Sequence, residues 1–146
     1  MIDTKSDFLT SFKVTASGLA AQRMRLNIIA ENLANAQTTR TPEGGPYKRR
    51  DPVFMSRPFQ DFLTREQAAG ATGVAVDRIN VDQRPPRLQY DPTHPDANAD
   101  GYVAMPNIDT VTEMVNMMSA SRSYEANVSV LNASKAMALK ALEIGR

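Results

Sequence analysis

Apolar side chains recur at helical spacing in two long runs, one near each end of the chain. Near the start, Phe8, Phe12, Thr15, Leu19, Gln22, Leu26, Ile29, Leu33 and Ala36 follow alternating steps of four and three, and seven of the nine are apolar. Near the other end, Met114, Met117, Ser121, Tyr124, Val128, Leu131, Lys135, Ala138 and Leu142 do the same, again with seven of nine apolar. This spacing holds one face of a long helix against a partner helix. Neither helix can bury its stripe alone, so the pattern predicts a coiled-coil-like pair, packing against neighbouring copies, or both. A helix over Asn107–Ile144 runs about 55 Å at about 1.5 Å per residue, longer than a small domain is wide. An elongated molecule or an assembly subunit fits that length better than a globular enzyme.

Between the seams the pattern changes. All nine prolines lie from Pro42 to Pro106, and proline both fixes φ and removes a backbone donor. The chain is therefore expected to divide into an N-terminal helix over residues 1–41, a proline-rich insert over 42–106 and a C-terminal helix over 107–146. The expected fold class is mainly α, with a small β insert of short strands and loops. Val53–Met55 and Val74–Val81 read as strands, the second bounded by Gly73 and by Pro85-Pro86. Leu88–Tyr90 and Tyr102–Ala104 are expected to pair with Val74–Val81 in one small sheet, backed by the helices or by a neighbour. Gln60–Ala69 reads as a helical turn or a loop.

Single residues refine the helices. Gly18 costs about 1 kcal/mol relative to alanine inside a helix, which points to a close approach by another backbone or to a bend. Asn32 and Asn35 stand where the first helix ends, and asparagine both bonds nearby backbone and tolerates the left-handed conformation. Asn107 is the expected cap of the second helix, with Glu113 in an early turn where the helix dipole favours negative charge. Met114, Met117, Met118 and Met137 suit irregular packing against non-identical neighbours.

The formal charge of +1 conceals no charged segment. Residues 1–41 carry five Lys or Arg against three acids, 42–106 eight against nine, and 107–146 four against four. No segment has the positive excess of a nucleic-acid or anionic-membrane binder. Lys48-Arg49-Arg50, the one basic cluster, is followed at once by Asp51 and reads as a solvated turn. There is no cysteine, which excludes disulfides and thiolate metal sites. No apolar run nears the roughly 20 residues of a membrane span, and the first residues lack the basic-then-apolar order of a cleavable secretory signal. Export, if it occurs, is expected to use another route.

Candidate chemistry is sparse. His94 is the sole histidine, so a cage of histidines around a metal is impossible within one chain, and a catalytic triad would rest on His94 alone. Asp96, Asn98, Asp100 and Gly101 fit the first half of a calcium loop. The twelfth position, however, is Asn107 rather than glutamate, Pro106 precedes it and no helix leads in. Asp91–Gly101 therefore reads as a polar turn. No nucleophile motif, phosphate-binding glycine loop or zinc-peptidase helix is present. The expectation is a chain that is not an enzyme and takes no cofactor or metal.

The run Ala21 to Thr39, AQRMRLNIIAENLANAQTT, resembles the N-terminal signature of bacterial flagellar rod and hook proteins. Tyr47–Phe54 continues the likeness. Gly101–Val115, GYVAMPNIDTVTEMV, and Ala120–Val128, ASRSYEANV, resemble the C-terminal signature of the proximal rod subunits. With the Asp91–Asp96 turn, the likeness covers nearly the whole chain.

The resemblance implies a structural subunit of the flagellar basal body, exported unfolded through the flagellar type III apparatus without a cleavable signal and assembled in the periplasm. It implies terminal helices that line a tubular, torque-transmitting rod around the export channel. The implied partners are copies of itself, other proximal rod proteins and the export-gate adaptor, with neither nucleic acid nor lipid. The residues expected at the assembly interface are Phe8, Phe12, Leu19, Leu26, Ile29, Asn32, Leu33 and Asn35 on the first helix, and Met114, Met117, Tyr124, Val128, Leu131 and Leu142 on the second. Two other readings compete. One is a peripheral module with its first helix on lipid, for which basic residues are few beyond Arg23, Arg25 and Arg40. The other is a monomeric helical bundle that recognises a partner helix.

Overall fold

The computed structural model describes residues 4–58 and 72–144. They form α1 (Thr4–Ala34), β1 (Arg50–Pro58), β2 (Thr72–Val81), β3 (Arg87–Tyr90), β4 (Tyr102–Met105) and α2 (Thr110–Ile144). The order of helix, strand-bearing insert and helix is the one the proline distribution predicts. Gln60–Ala69 lies outside the described residues.

α1 and α2 run antiparallel and pack against each other. Two contacts fix their register. Asn32 meets Glu113, and Gly18 meets Asn127. Each step is fourteen residues along its own helix, so the two stay in register over about four turns. A Cβ built on Gly18 would lie 3.3 Å from Asn127 Nδ2. The close approach expected at Gly18 is therefore present, made by a side chain of α2 rather than by a backbone.

The inner face of α2 lies one position off the predicted seam. Glu113, Ala120 and Ser134 are buried and Asn127 is half-buried, at seven-residue steps. Met117, Tyr124, Leu131 and Ala138, all half-buried, make the second row. The remaining predicted positions turn aside, with Met114, Lys135 and Leu142 exposed and Ser121 and Val128 half-buried. The reason is size. Helix separation follows the side chains at the contact, and a row of small or hydrogen-bonding residues lets α2 approach the Gly18 face, which a row containing methionine and leucine would hold off. α1 is buried more broadly, at Thr15, Ala21, Ile28, Ile29 and Asn32, because β1 and β2 pack on it as well as α2. Ser17 Oγ accepts the Val74 N–H at 3.1 Å and pins the start of β2 to α1.

The strands form two separate antiparallel pairs, β1 with β2 and β3 with β4. The single sheet predicted around Val74–Val81 is not formed, because that strand takes Arg50–Pro58 as its partner. Length decides this pairing. β2 has ten residues and β1 nine, whereas β3 and β4 have four each. Only β1 offers β2 a ladder over its full length.

Both helix ends near the insert differ from expectation in detail. The cap of α2 is Asp109, not Asn107. Its Oδ1 accepts the Val111 N–H at 3.1 Å and its Oδ2 accepts the Thr112 hydroxyl. Pro106 and Ile108 are buried, so the chain is anchored through this segment before the helix begins. At the end of α1, Asn35 Nδ2 donates to the Glu31 carbonyl at 2.9 Å and Asn35 Oδ1 accepts from the Thr38 hydroxyl at 3.1 Å. Among the described residues only glycines have positive φ. The left-handed conformation expected of Asn32 or Asn35 is thus unused, and Asn35 closes the helix through its side chain.

Candidate assembly interface

Asn32 is fully buried, within the last turn of α1. Its Oδ1 accepts the Arg50 N–H at 2.9 Å, and its Nδ2 donates to the Arg50 carbonyl at 2.8 Å. One amide thus satisfies both backbone groups of the first residue of β1. On the opposite edge, the Arg49 carbonyl accepts the Asp82 N–H at 2.8 Å, as the alternation of a strand requires. Asn32 Nδ2 also donates to Glu113 Oε2 at 3.2 Å, and the Tyr47 hydroxyl donates to Asn32 Oδ1 at 3.3 Å.

Glu113, 1% exposed, lies in the first turn of α2. A carboxylate so enclosed needs a cation and donors to replace its lost hydration. Arg49 supplies the cation, with Nε 2.8 Å from Glu113 Oε1, and Asn32 supplies a donor. The solvated turn expected at Lys48-Arg49-Arg50 is therefore corrected, because the segment leads directly into β1 and both arginines find partners. Arg49 closes on Glu113, and Arg50 lies over the Tyr47 ring at 5.6 Å and 3.7 Å from Glu31. Of the three, Lys48 is the one left exposed.

The electrostatics follow from this enclosure. Burial pulls the Arg49 pKa down, but the hydrogen bond and charge of Glu113, with Asp51 alongside, outweigh it and leave the value raised. Burial also raises the Tyr47 hydroxyl, against the opposing pull of Arg50, so the group remains a donor to Asn32 at neutral pH. The cluster joins α1, the approach to β1 and the start of α2. Sequence reasoning placed Glu113 correctly in an early turn but missed its burial. The available signal was its position seven residues before Ala120, in the small inner row, where a carboxylate must find a partner.

Of the residues predicted for assembly, Ile29 and Asn32 are buried within the subunit. Phe12, Leu19, Leu26, Leu33, Asn35, Met117, Tyr124, Val128 and Leu131 are half-buried, while Met114 and Leu142 are exposed. The Phe8 side chain lies outside the described side chains. The seams thus cover one another in part. What stays open is the outer face of α2, where Val111, Met114, Val115 and Met118 are each more than half exposed. Their i, i+3, i+4, i+7 spacing makes one continuous stripe.

Residues 12–40 match the family described as Flagella basal body rod protein, and residues 99–144 the family described as Flagellar basal body rod FlgEFG protein C-terminal. These two stretches hold most of α1 and all of α2. The flagellar basal-body rod protein FlgC of Salmonella typhimurium is 49% identical over 138 residues, spanning 94% of this chain and 98% of its own. The protein of the same name from Borreliella burgdorferi is 45% identical over 148 residues, 92% of this chain and 95% of its own. That of Bacillus subtilis is 45% identical over 145 residues, 93% and 97% respectively. The chain belongs to the family of FlgC flagellar basal-body rod proteins, structural components of the bacterial flagellar basal body.

Proposed function

We propose that the chain polymerises through its terminal helices into a tubular shaft that transmits torque and surrounds the export channel. The observation that carries this reading is the stripe Val111, Met114, Val115 and Met118, left open on α2 while the opposite face is already packed on α1. An apolar stripe with no internal partner marks an interaction surface, and a contact that does not close into a ring propagates as a filament.

In this reading residues 1–41 and 107–146 form the rod core as a coiled-coil-like pair, and 42–106 form an insert that sets spacing around it. The equal fourteen-residue steps from Asn32 to Gly18 and from Glu113 to Asn127 support the coiled-coil geometry, since two heptads pass without drift. The partners are further copies, the other proximal rod proteins and the export-gate adaptor. The chain reaches the periplasm through the flagellar type III apparatus.

Sedimentation of the purified chain at rising concentration, alone and with the other proximal rod proteins, tests this reading. The wild type is expected to form larger species. Met114→Asp combined with Met118→Asp is expected to stay monomeric with unchanged helix content and to fail to restore swimming in a strain lacking the native subunit. Full swimming by that variant overturns the proposal.

A further inference from the structure

The β3–β4 hairpin carries a second open apolar surface. Its register pairs Tyr90 with Tyr102 and Leu88 with Ala104, so these four share one face. The opposite face holds Val103, which is buried, and Met105, which is half-buried. On the outer face Leu88 is 63% exposed, Tyr90 64% and Tyr102 42%. The two tyrosine rings meet edge to face, with centroids 5.3 Å apart and planes at 67°. Gly101, at φ +80°, leaves room for this arrangement, because a Cβ there would come within 2.9 Å of Tyr90 Cε2. The platform is thus built and held in place rather than a chance scatter of apolar side chains.

At its tyrosine end the platform borders a turn charged in one sense. The turn from Asp91 to Gly101 contains Asp91, Asp96 and Asp100 and no lysine or arginine. Its shape is fixed by the Asp91 N–H to the Gly101 carbonyl at 2.9 Å and by Asn98 Oδ1, which accepts the N–H groups of Asp100 and Tyr102 at 3.0 and 2.8 Å. The acidic tip therefore sits at the tyrosine end of the platform.

We infer that this platform seats the outer α2 stripe of a second copy of the chain. Methionine and valine against tyrosine is a favourable pairing, since thioethers contact aromatic rings well. The stripe continues one turn beyond Met118 to Arg122, an exposed cation with no ion pair among the described residues. Laid along the platform, the stripe brings Arg122 to the acidic tip. Platform and stripe are both open in the same molecule, so neither covers the other internally. A subunit with two different complementary surfaces makes a head-to-tail contact that need not close. Each surface offers about 400 Å², half the roughly 800 Å² per partner of a stable complex. The contact is therefore weak by itself and holds when other contacts of the assembly act with it. This inference rests on the self-assembly reading above and specifies one of its contacts.

The absence of cysteine allows a direct test in rods formed in cells. Chains with Leu88→Cys and chains with Met114→Cys are expressed together and treated with a short bismaleimide. A cross-linked species at twice the 16.0 kDa chain mass is expected in the mixture and absent with either variant alone. Tyr90→Cys with Met118→Cys provides an independent pair should the first impair assembly. Arg122→Asp is expected to lower the cross-linked fraction about three-fold, and Asp100→Arg in the other chain to restore it. The contact is overturned by a dimer formed from Leu88→Cys alone, by a cross-link to a different protein, or by assembled rods with no cross-link from either pair. A chain that never enters rods overturns the self-assembly reading and this contact with it.

Discussion

At Asn32 one amide ties the end of α1 to the start of β1 and to the first turn of α2. Its hydrogen bonds lie around the Glu113–Arg49 pair, and the energetic weight of that pair comes from what removal leaves behind. Glu113→Ala leaves the Arg49 guanidinium and one Asn32 hydrogen without their acceptor, at a cost of about 2–4 kcal/mol, and Arg49→Ala leaves a buried carboxylate at a similar cost. The double variant is expected to lose clearly less than the sum of the two, as read from urea midpoints in a double-mutant cycle. Strict additivity would show that the two side chains act independently. Farther out, the Arg84 hydrogen bond and charge hold Asp82 at about 2, below its ordinary 3.8. A carboxylate with a depressed folded value adds stability above its unfolded pKa, and that stability is lost as pH falls through the folded one. Exposure of Arg84 leaves the pair screened by solvent, so its contribution is small. Wild type is therefore expected to exceed Arg84→Gln by a small margin at pH 5, and the margin should narrow toward pH 2. A margin constant over that range would contradict the assignment.

At the scale of elements, the two helices and the position of each strand were legible because their signals are local. Proline ends helices wherever it falls, the apolar step of four and three persists over many turns, and Val74–Val81 is bracketed by breakers. Strand pairing was not legible, since nothing within Val74–Val81 says whether Arg50–Pro58 or Leu88–Tyr90 lies beside it. The Asn32 cluster was hidden for the same reason, its partners lying 18 and 81 residues away. The row of α2 facing α1 misled because hydropathy favours Met114 and Val128, while the closest approach of two helices selects Ala120, Asn127 and Ser134. Ala120 is completely buried, so Ala120→Leu should overpack the helix pair and cost about 1–3 kcal/mol, whereas Val115→Leu on the open face should be nearly neutral. Equal urea midpoints for the two variants would place the inner row elsewhere. At Gly18, alanine gains about 1 kcal/mol of helix propensity but must displace Asn127 by a few tenths of an ångström. Gly18→Ala is therefore expected to stabilise an Asn127→Ala background more than the wild type.

For the molecule as a whole, the open and closed faces of the same helices predict two kinds of failure that a motility assay alone would confuse. Leu26 and Leu131 are half-buried inside the subunit, and a carboxylate at either site is penalised where it meets apolar surroundings in the free chain itself. Leu26→Asp and Leu131→Asp are therefore expected to lower the helix content and the thermal midpoint of the isolated chain, and to abolish rod incorporation as a consequence. Met114 and Met118 are more than half exposed, so aspartate there meets water in the free chain and is penalised only when a neighbour covers the stripe. Circular dichroism of the purified variants beside incorporation into basal bodies separates the cases. The first pair should fail both measurements and the second pair only the latter. If Met114→Asp with Met118→Asp melted the free chain as severely as Leu131→Asp, the outer stripe would be part of the subunit's own core, and assembly would have to draw on some other surface.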